Sequence, residues 1–195
     1  MKLRECIGKK YTDDDLKIFL EDETVQEIIK TGHDWEGNDF LEWNVYHDPG
    51  LLNKVVEELC RKMEKIWGEI DYVASLGASG CPLATKLAAE KKKPLIYVHD
   101  RWGITEIFHP IRPFNVNIVN KHVLLVDSII RTGLTTFNGV KTIRAKAGIP
   151  ILAVMCLLNE WIDRTLMDEM VDVDFYFIFP WNKRMFELAV EKGLI

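Results

Sequence analysis

Residues 122–136, HVLLVDSIIRTGLTT, hold the densest group of side chains able to do chemistry in this chain. Asp127 and Ser128 follow the apolar run VLLV, and Arg131, Thr132, Gly133, Leu134 and Thr135 come next. Where a strand turns into a helix, successive backbone amides, the Thr132 and Thr135 hydroxyls and the positive end of the helix dipole converge on one anion, and a phosphate suits that cradle. Asp127 at the mouth of the same crevice is a carboxylate able to accept hydrogen bonds from two neighbouring sugar hydroxyls. A phosphate beside a diol describes a ribose 5-phosphate. A second turn, GASG from Gly77 to Gly80, lets a backbone approach a ligand closely and precedes another helix. Each turn also has a local alternative. Asp127 and the threonines could cap their own loop, and GASG could be a plain strand-to-helix connection.

The elements that hold these residues alternate along the chain. DYVASLG, PLIYVHD, HVLLVD, PILAVMCLL and DFYFIFP read as strands, while CPLATKLAAEK, TTFNGVKTIRAKAG and NKRMFELAVEK read as helices. The pattern predicts an α/β fold, a mostly parallel twisted sheet with helices on both faces, whose ligands gather at the carboxyl ends of the strands. Three strand ends carry the polar residues: Gly77 to Gly80, then His99, Asp100 and Arg101, then Asp127 and Ser128 with the Thr-Gly turn.

Upstream, TDDDLKIFL and DETVQEIIKTG predict two short helices. Leu52, Val55, Val56, Leu59, Met63 and Trp67 form a helical stripe running from Pro49 to about Gly68. Residues 33–50 mix aromatics, acids and turn formers without a period, as a cover segment would. One domain is expected over 1–195: a helical cover at 1–68, an α/β core at 69–160, and at 161–195 the last strand, a possible hood and a closing helix. Residues 101–121 are too long for an ordinary connection. They predict either a lid or an ordered hairpin used in dimer packing, since TEIFH alternates like a strand and Pro110 and Pro113 stiffen its exit.

With 195 residues and 48% apolar content the chain can fill a core without disulfides. A net charge of -5 and the lack of a basic cluster argue against nucleic acid as a partner. Cys6, Cys60, Cys81 and Cys156 are widely spaced, which suggests reduced thiols rather than a zinc site or a disulfide framework. No leader-like or membrane-length apolar run is present, so a soluble cytoplasmic protein with no membrane partner is expected.

VLLVDSIIRTGLTT resembles the phosphoribosyl pyrophosphate motif of the type I phosphoribosyltransferases: four apolar residues, two acids and a Thr-Gly-x-Thr phosphate loop. VASLGASGCPLATKLAAEKKKPLIYVHD is similar to the upstream pyrophosphate-loop unit of that family, and the resemblance spans roughly residues 70 to 158. It implies transfer of ribose 5-phosphate to a nucleobase with release of pyrophosphate, or, in a non-catalytic relative, binding of phosphoribosyl pyrophosphate or a nucleotide for regulation. It further implies that Arg131, Thr132, Gly133, Leu134 and Thr135 hold the 5-phosphate, that Asp127 with Ser128 faces the ribose, and that Ala78, Ser79 and Gly80 hold the pyrophosphate. Asp127, Arg101, His109 and Arg112 are the implied catalytic residues, the last three as anion partners on the 101–121 segment. Magnesium is implied through substrate oxygens, with no direct protein ligand or with Asp127 as the alternative contact, and a homodimer is implied as the assembly.

DFYFIFPW resembles the base-binding hood of the purine-type branch and puts Trp181 in the stacking place, which favours a purine; Trp181 could equally anchor the closing helix. The hood could instead come from residues 33–48, with Trp35 and Trp43, while Trp161 reads as core or interface. Two positions depart from the family. Arg131 stands where 6-oxopurine enzymes carry an aspartate facing the purine, and Ser128 stands in place of the second acid. Exchanging that acid for a hydroxyl is expected to weaken ribose or metal binding by about 1 kcal/mol.

Overall fold

The computed structural model describes residues 9–31, 40–101, 104–109, 112–158 and 164–195. Four helices come first: α1 (Asp13–Leu20), α2 (Glu23–Thr31), α3 (Phe40–His47) and α4 (Pro49–Lys62). A capping box opens α1: Asp15 N donates to Thr12 Oγ1 at 3.2 Å and Thr12 N to Asp15 Oδ2 at 2.9 Å. Asp48 opens α4 by accepting from Gly50 N and Leu51 N, with Pro49 in the first position, where its missing N–H is no loss. The helical stripe overestimates α4, which stops at Lys62. Shorter-range bonds take over, Glu64 N to Arg61 O and Ile66 N to Met63 O. Trp67 remains buried because its indole N–H donates at 3.1 Å to the Cys60 carbonyl, which lies in the last turn, where intrahelical donors run out.

The rest of the chain runs β1 (Ile70–Leu76), α5 (Cys81–Glu90), β2 (Leu95–Arg101), β3 (Ile104–His109), β4 (Arg112–Asn115), β5 (His122–Ile130), α6 (Leu134–Ala145), β6 (Ile149–Leu158), α7 (Arg164–Asp168), β7 (Asp174–Trp181) and α8 (Lys183–Glu191). These strands form one sheet in the order β4-β3-β2-β1-β5-β6-β7. The five strands from β2 to β7 in that order are parallel neighbours, and β3 and β4 extend the sheet antiparallel. Of the two expectations for residues 101–121, the described part takes the hairpin: Val98 pairs with Ile107 and Arg101 with Ile104.

Period-two alternation splits the core into two layers. On β5, Leu124 and Val126 join Leu16, Ile28, Leu59, Leu83 and Leu188 on the face covered by α1, α2, α4, α5 and α8. Val123 and Leu125 join Val140 and Ile143 of α6 on the opposite face. The parallel sheet with helices on both faces is therefore present as expected. Among the described residues no helix is long and apolar enough to cross a membrane.

One boundary moves in a way that matters. β5 continues three residues past Asp127, because Ile129 and Ile130 pair with Cys156 and Leu157 of β6. Asp127 thus lies inside the strand, opposite Val154, rather than just beyond its end.

Candidate functional site

The carboxyl end of β1 is shaped by glycine and small residues. Gly77 adopts φ +67°, a left-handed conformation that a residue with a side chain rarely takes. Its N–H donates to the Val98 carbonyl of β2 at 3.1 Å, and its carbonyl accepts from the buried Ser75 hydroxyl at 2.8 Å. Ala78 is exposed, Ser79 half-buried and Gly80 buried. A Cβ on Gly80 would stand 2.2 Å from the Val126 carbonyl oxygen and 3.1 Å from Asp127 Cα, so the turn lies directly on the β5 backbone. Glycine is required here for close approach rather than for an unusual φ.

That approach brings Asp127 to the turn. Ser79 Oγ donates to Asp127 Oδ1 at 2.8 Å, and the same oxygen accepts from Ser128 N at 2.8 Å. Asp127 is 6% exposed and Ser128 1%. The carboxylate is thereby oriented before any ligand arrives, as a buried polar group must be if it is to be satisfied.

Beyond β5 the chain enters α6 through Gly133, whose φ of +86° lets Arg131 and Thr132 turn over the helix N-terminus. Thr132 Oγ1 accepts from Leu134 N at 3.4 Å, a long contact. Arg131 is half-buried, and Thr132, Leu134 and Thr135 are exposed. The first-turn amides of a helix have no partner inside it, so this loop combines an N-terminal dipole with hydroxyls at the surface.

The helical cover also reaches the site. Tyr46 of α3 donates its hydroxyl to the Ser79 carbonyl at 2.6 Å. No periodicity marks Tyr46 in the sequence; its neighbourhood reads only as an aromatic-rich cover, and the link to Ser79 spans 33 residues. Beside the turn, Cys81 Sγ and Tyr97 Oη lie 2.9 Å apart. That contact, followed by burial, pushes the Tyr97 phenol above its ordinary range.

Trp181 requires a correction. It is 1% exposed and packs edge-on against Phe179 and against Phe186 of α8, with ring centroids 6.2 Å away in both cases. An indole enclosed this way has no face on which a base can stack, so Trp181 anchors the closing helix. The side chains of Arg101, His109, Arg112 and Trp43 lie outside the described residues, as do Trp35, Trp161 and Cys6. A cavity of about 310 Å³ lined by His122, Arg144, Ile149 and Asp174 sits at the amino ends of β5, β6 and β7, away from Asp127.

No protein-family model matches the chain. Among curated proteins it is 29% identical over 120 residues to the transcriptional regulator GfcR of Methanosarcina mazei, covering 59% of this chain and 56% of that protein. It is 26% identical over 105 residues to the orotate phosphoribosyltransferase of Pyrobaculum aerophilum, covering 54% and 52% respectively. The chain thus spans about half the length of the curated relatives it matches. Among solved structures it is similar to orotate phosphoribosyltransferase from Aeropyrum pernix, with a TM-score of 0.60, 16% identity and coverage of 77% of this chain and 81% of that one. It is also similar to adenine phosphoribosyltransferase from Thermoanaerobacter pseudethanolicus, with a TM-score of 0.59, 18% identity and coverage of 70% and 84%. At these identities the shared property is the architecture: this chain has the fold of the type I phosphoribosyltransferases.

Proposed function

We propose that the chain binds phosphoribosyl pyrophosphate across the carboxyl ends of β1 and β5 and transfers its ribose 5-phosphate to a nitrogen base. The bond from the anomeric carbon to the pyrophosphate oxygen breaks, a bond from that carbon to the base nitrogen forms, and the base loses a proton. The observation that carries this reading is the Ser79–Asp127 hydrogen bond, which ties the turn after β1 to the strand that leads into the Thr-Gly loop.

In this reading Arg131 to Thr135 cradle the 5-phosphate, Asp127 accepts from the ribose hydroxyls, and Ala78, Ser79 and Gly80 receive the pyrophosphate. Arg101, His109 and Arg112, on the arm formed by β2, β3 and β4, are anion partners for the leaving group. Catalysis then rests on positioning and on offsetting the charge of the departing pyrophosphate. Among the described residues no group of three or more His, Cys, Asp and Glu side chains could hold a metal, and Asp127 is the one carboxylate described at the site. That donor set suits magnesium carried on pyrophosphate and ribose oxygens, where the ion would neutralise leaving-group charge. With Trp181 buried, the ground for preferring a purine is removed, and the base is proposed only as a nitrogen nucleophile.

A second reading is favoured by a specific observation. Ser128 stands where the family motif has an acid, and the relative in Methanosarcina mazei is named a transcriptional regulator. A chain that holds phosphoribosyl pyrophosphate for regulation, without turnover, satisfies both. Thermal shift with magnesium and phosphoribosyl pyrophosphate, followed by a pyrophosphate-release assay across a panel of purine and pyrimidine bases, separates the two. Stabilisation with release for one base supports the transferase. Stabilisation with no release for any base supports the regulator, and no stabilisation at all sinks both.

A further inference from the structure

Resting on the assignment of pyrophosphate to residues 78–80, we infer that Tyr46 is a positioning residue for that turn, coupling α3 to ligand binding. Ser79 is held from two sides: its carbonyl accepts from Tyr46 Oη at 2.6 Å, and its hydroxyl donates to Asp127 Oδ1 at 2.8 Å. One residue thereby links the helical cover to the central strand of the site.

The consequence follows from peptide geometry. In a planar trans peptide the carbonyl of one residue and the N–H of the next point in opposite directions. No cis peptide is present among the described residues. Holding the Ser79 carbonyl toward α3 therefore aims the Gly80 N–H away from α3. Anion sites built from backbone amides depend on such plane orientations being fixed in advance. Neighbouring planes have holders of their own, the Gly77 carbonyl in Ser75 Oγ and the Ala78 carbonyl in the Cys81 N–H, and Tyr46 Oη does the same for the Ser79 plane.

The anchor is firm enough for this role. Val45, the neighbour of Tyr46, is 0% exposed, and the Tyr46 ring packs against the core layer that includes α4 and α5. Two residues before Tyr46, the Asn44 side-chain amide donates to the Thr31 carbonyl at the end of α2. Movement of α3 is thus transmitted to Ser79, and an anion that needs the Gly80 N–H favours the docked position of α3.

Tyr46→Phe in the full chain tests the inference, because it removes the hydroxyl and keeps the ring. Two measurements are made: amide exchange over residues 77–81 without ligand, and titration with magnesium and phosphoribosyl pyrophosphate. Exchange at the turn is expected to accelerate while that of β5 stays unchanged. Binding is expected to weaken about five- to tenfold, the loss of one hydrogen bond's net contribution. If pyrophosphate release is measurable, KM for phosphoribosyl pyrophosphate rises while kcat changes less, a split that general loss of stability does not produce. Exchange and affinity both within twofold of the parent would overturn the positioning role. Failure of the parent chain to bind would overturn the ligand assignment and this inference with it. The two failures are told apart by the exchange rates, which report on the tether with no ligand present.

Discussion

Ser79 Oγ lies 2.8 Å from Asp127 Oδ1, a hydrogen bond between residues 48 apart in the chain. It closes the gap between the turn after β1 and the interior of β5, two parallel neighbours in the sheet. Asp127 also receives the Ser128 N–H on the same oxygen, so its carboxylate is fixed by the turn after β1 and by β5 itself. Sequence position alone puts Asp127 near the phosphate turn; this bond puts it at the other turn as well.

Removing that carboxylate has a structural and a functional effect. Asp127→Ala removes the hydrogen bonds that its carboxylate accepts from Ser128 N and Ser79 Oγ, and a loss of about 1–3 kcal/mol in unfolding free energy is expected. Asp127→Asn keeps the shape and is expected to fold better, yet to bind phosphoribosyl pyrophosphate about tenfold more weakly. Denaturant melts and ligand-induced melting shifts check both. Undiminished stabilisation by the ligand in Asp127→Asn would move the ribose elsewhere.

Gly80→Ala is expected to be severe. Its Cβ would meet the Val126 carbonyl oxygen at 2.2 Å, and backbone cannot swing aside. A loss of about 2–4 kcal/mol is predicted, together with loss of ligand binding. Gly139→Ala is the control. Its nearest neighbour, Leu76 Cδ1 at 2.5 Å, is the end of a flexible side chain, and about 1 kcal/mol is expected. Equal urea midpoints for the two variants would contradict the asymmetry.

Ser128→Asp restores the family's acid on paper. At 1% exposure the new carboxylate would be desolvated, so its folded-state pKa would rise above the unfolded value of about 3.9. The destabilisation should then be small at pH 4 and grow as pH rises through neutrality, since the folded form increasingly resists ionisation. Melting temperatures across pH 4–8 decide the matter. A stable variant with tighter ligand binding would mean that the serine is a weakened ligand position.

In the phosphate loop, Thr132→Ala and Thr135→Ala are each expected to weaken binding less than Asp127→Asn does, because both hydroxyls are exposed and backbone amides share the anion. Gly133→Ala differs: at φ +86° a Cβ costs about 1–2 kcal/mol. Isothermal titration of the three variants gives the order, and a larger effect from either threonine would shift the cradle toward side chains.

Asp71 provides the pH prediction. Its carboxylate accepts from Lys121 Nζ at 3.0 Å and from His122 N at 2.9 Å, joining the start of β1 to the start of β5. The Lys121 bond first, and the His122 amide second, hold its pKa below the ordinary carboxylate value. A depressed folded pKa contributes stability above the unfolded pKa, which is lost as pH falls through the folded one. The parent should therefore melt above Asp71→Asn at pH 6, by a small margin because the pair is exposed to solvent, with the margin closing below about pH 4. A margin that persisted at pH 2 would not come from this carboxylate.

The sequence by itself determined the alternation of strands and helices, the capped start of α1, the apolar stripe of α4 from Pro49, and the glycine turns at 77–80 and 133. These depend on periodicity, caps and φ preferences acting between residues a few positions apart. It also marked Asp127 and Arg131 to Thr135 as candidates, since their chemistry is concentrated in one short run. Tertiary structure alone decided the rest. It enclosed Trp181 against Phe179 and Phe186, extended β5 past Asp127 by pairing it with β6, folded residues 101–115 into an arm where they are described, and brought Tyr46 to Ser79. Burial and hydrogen bonds across tens of residues depend on which strands become neighbours, and no local pattern around Trp181 or Tyr46 records that choice.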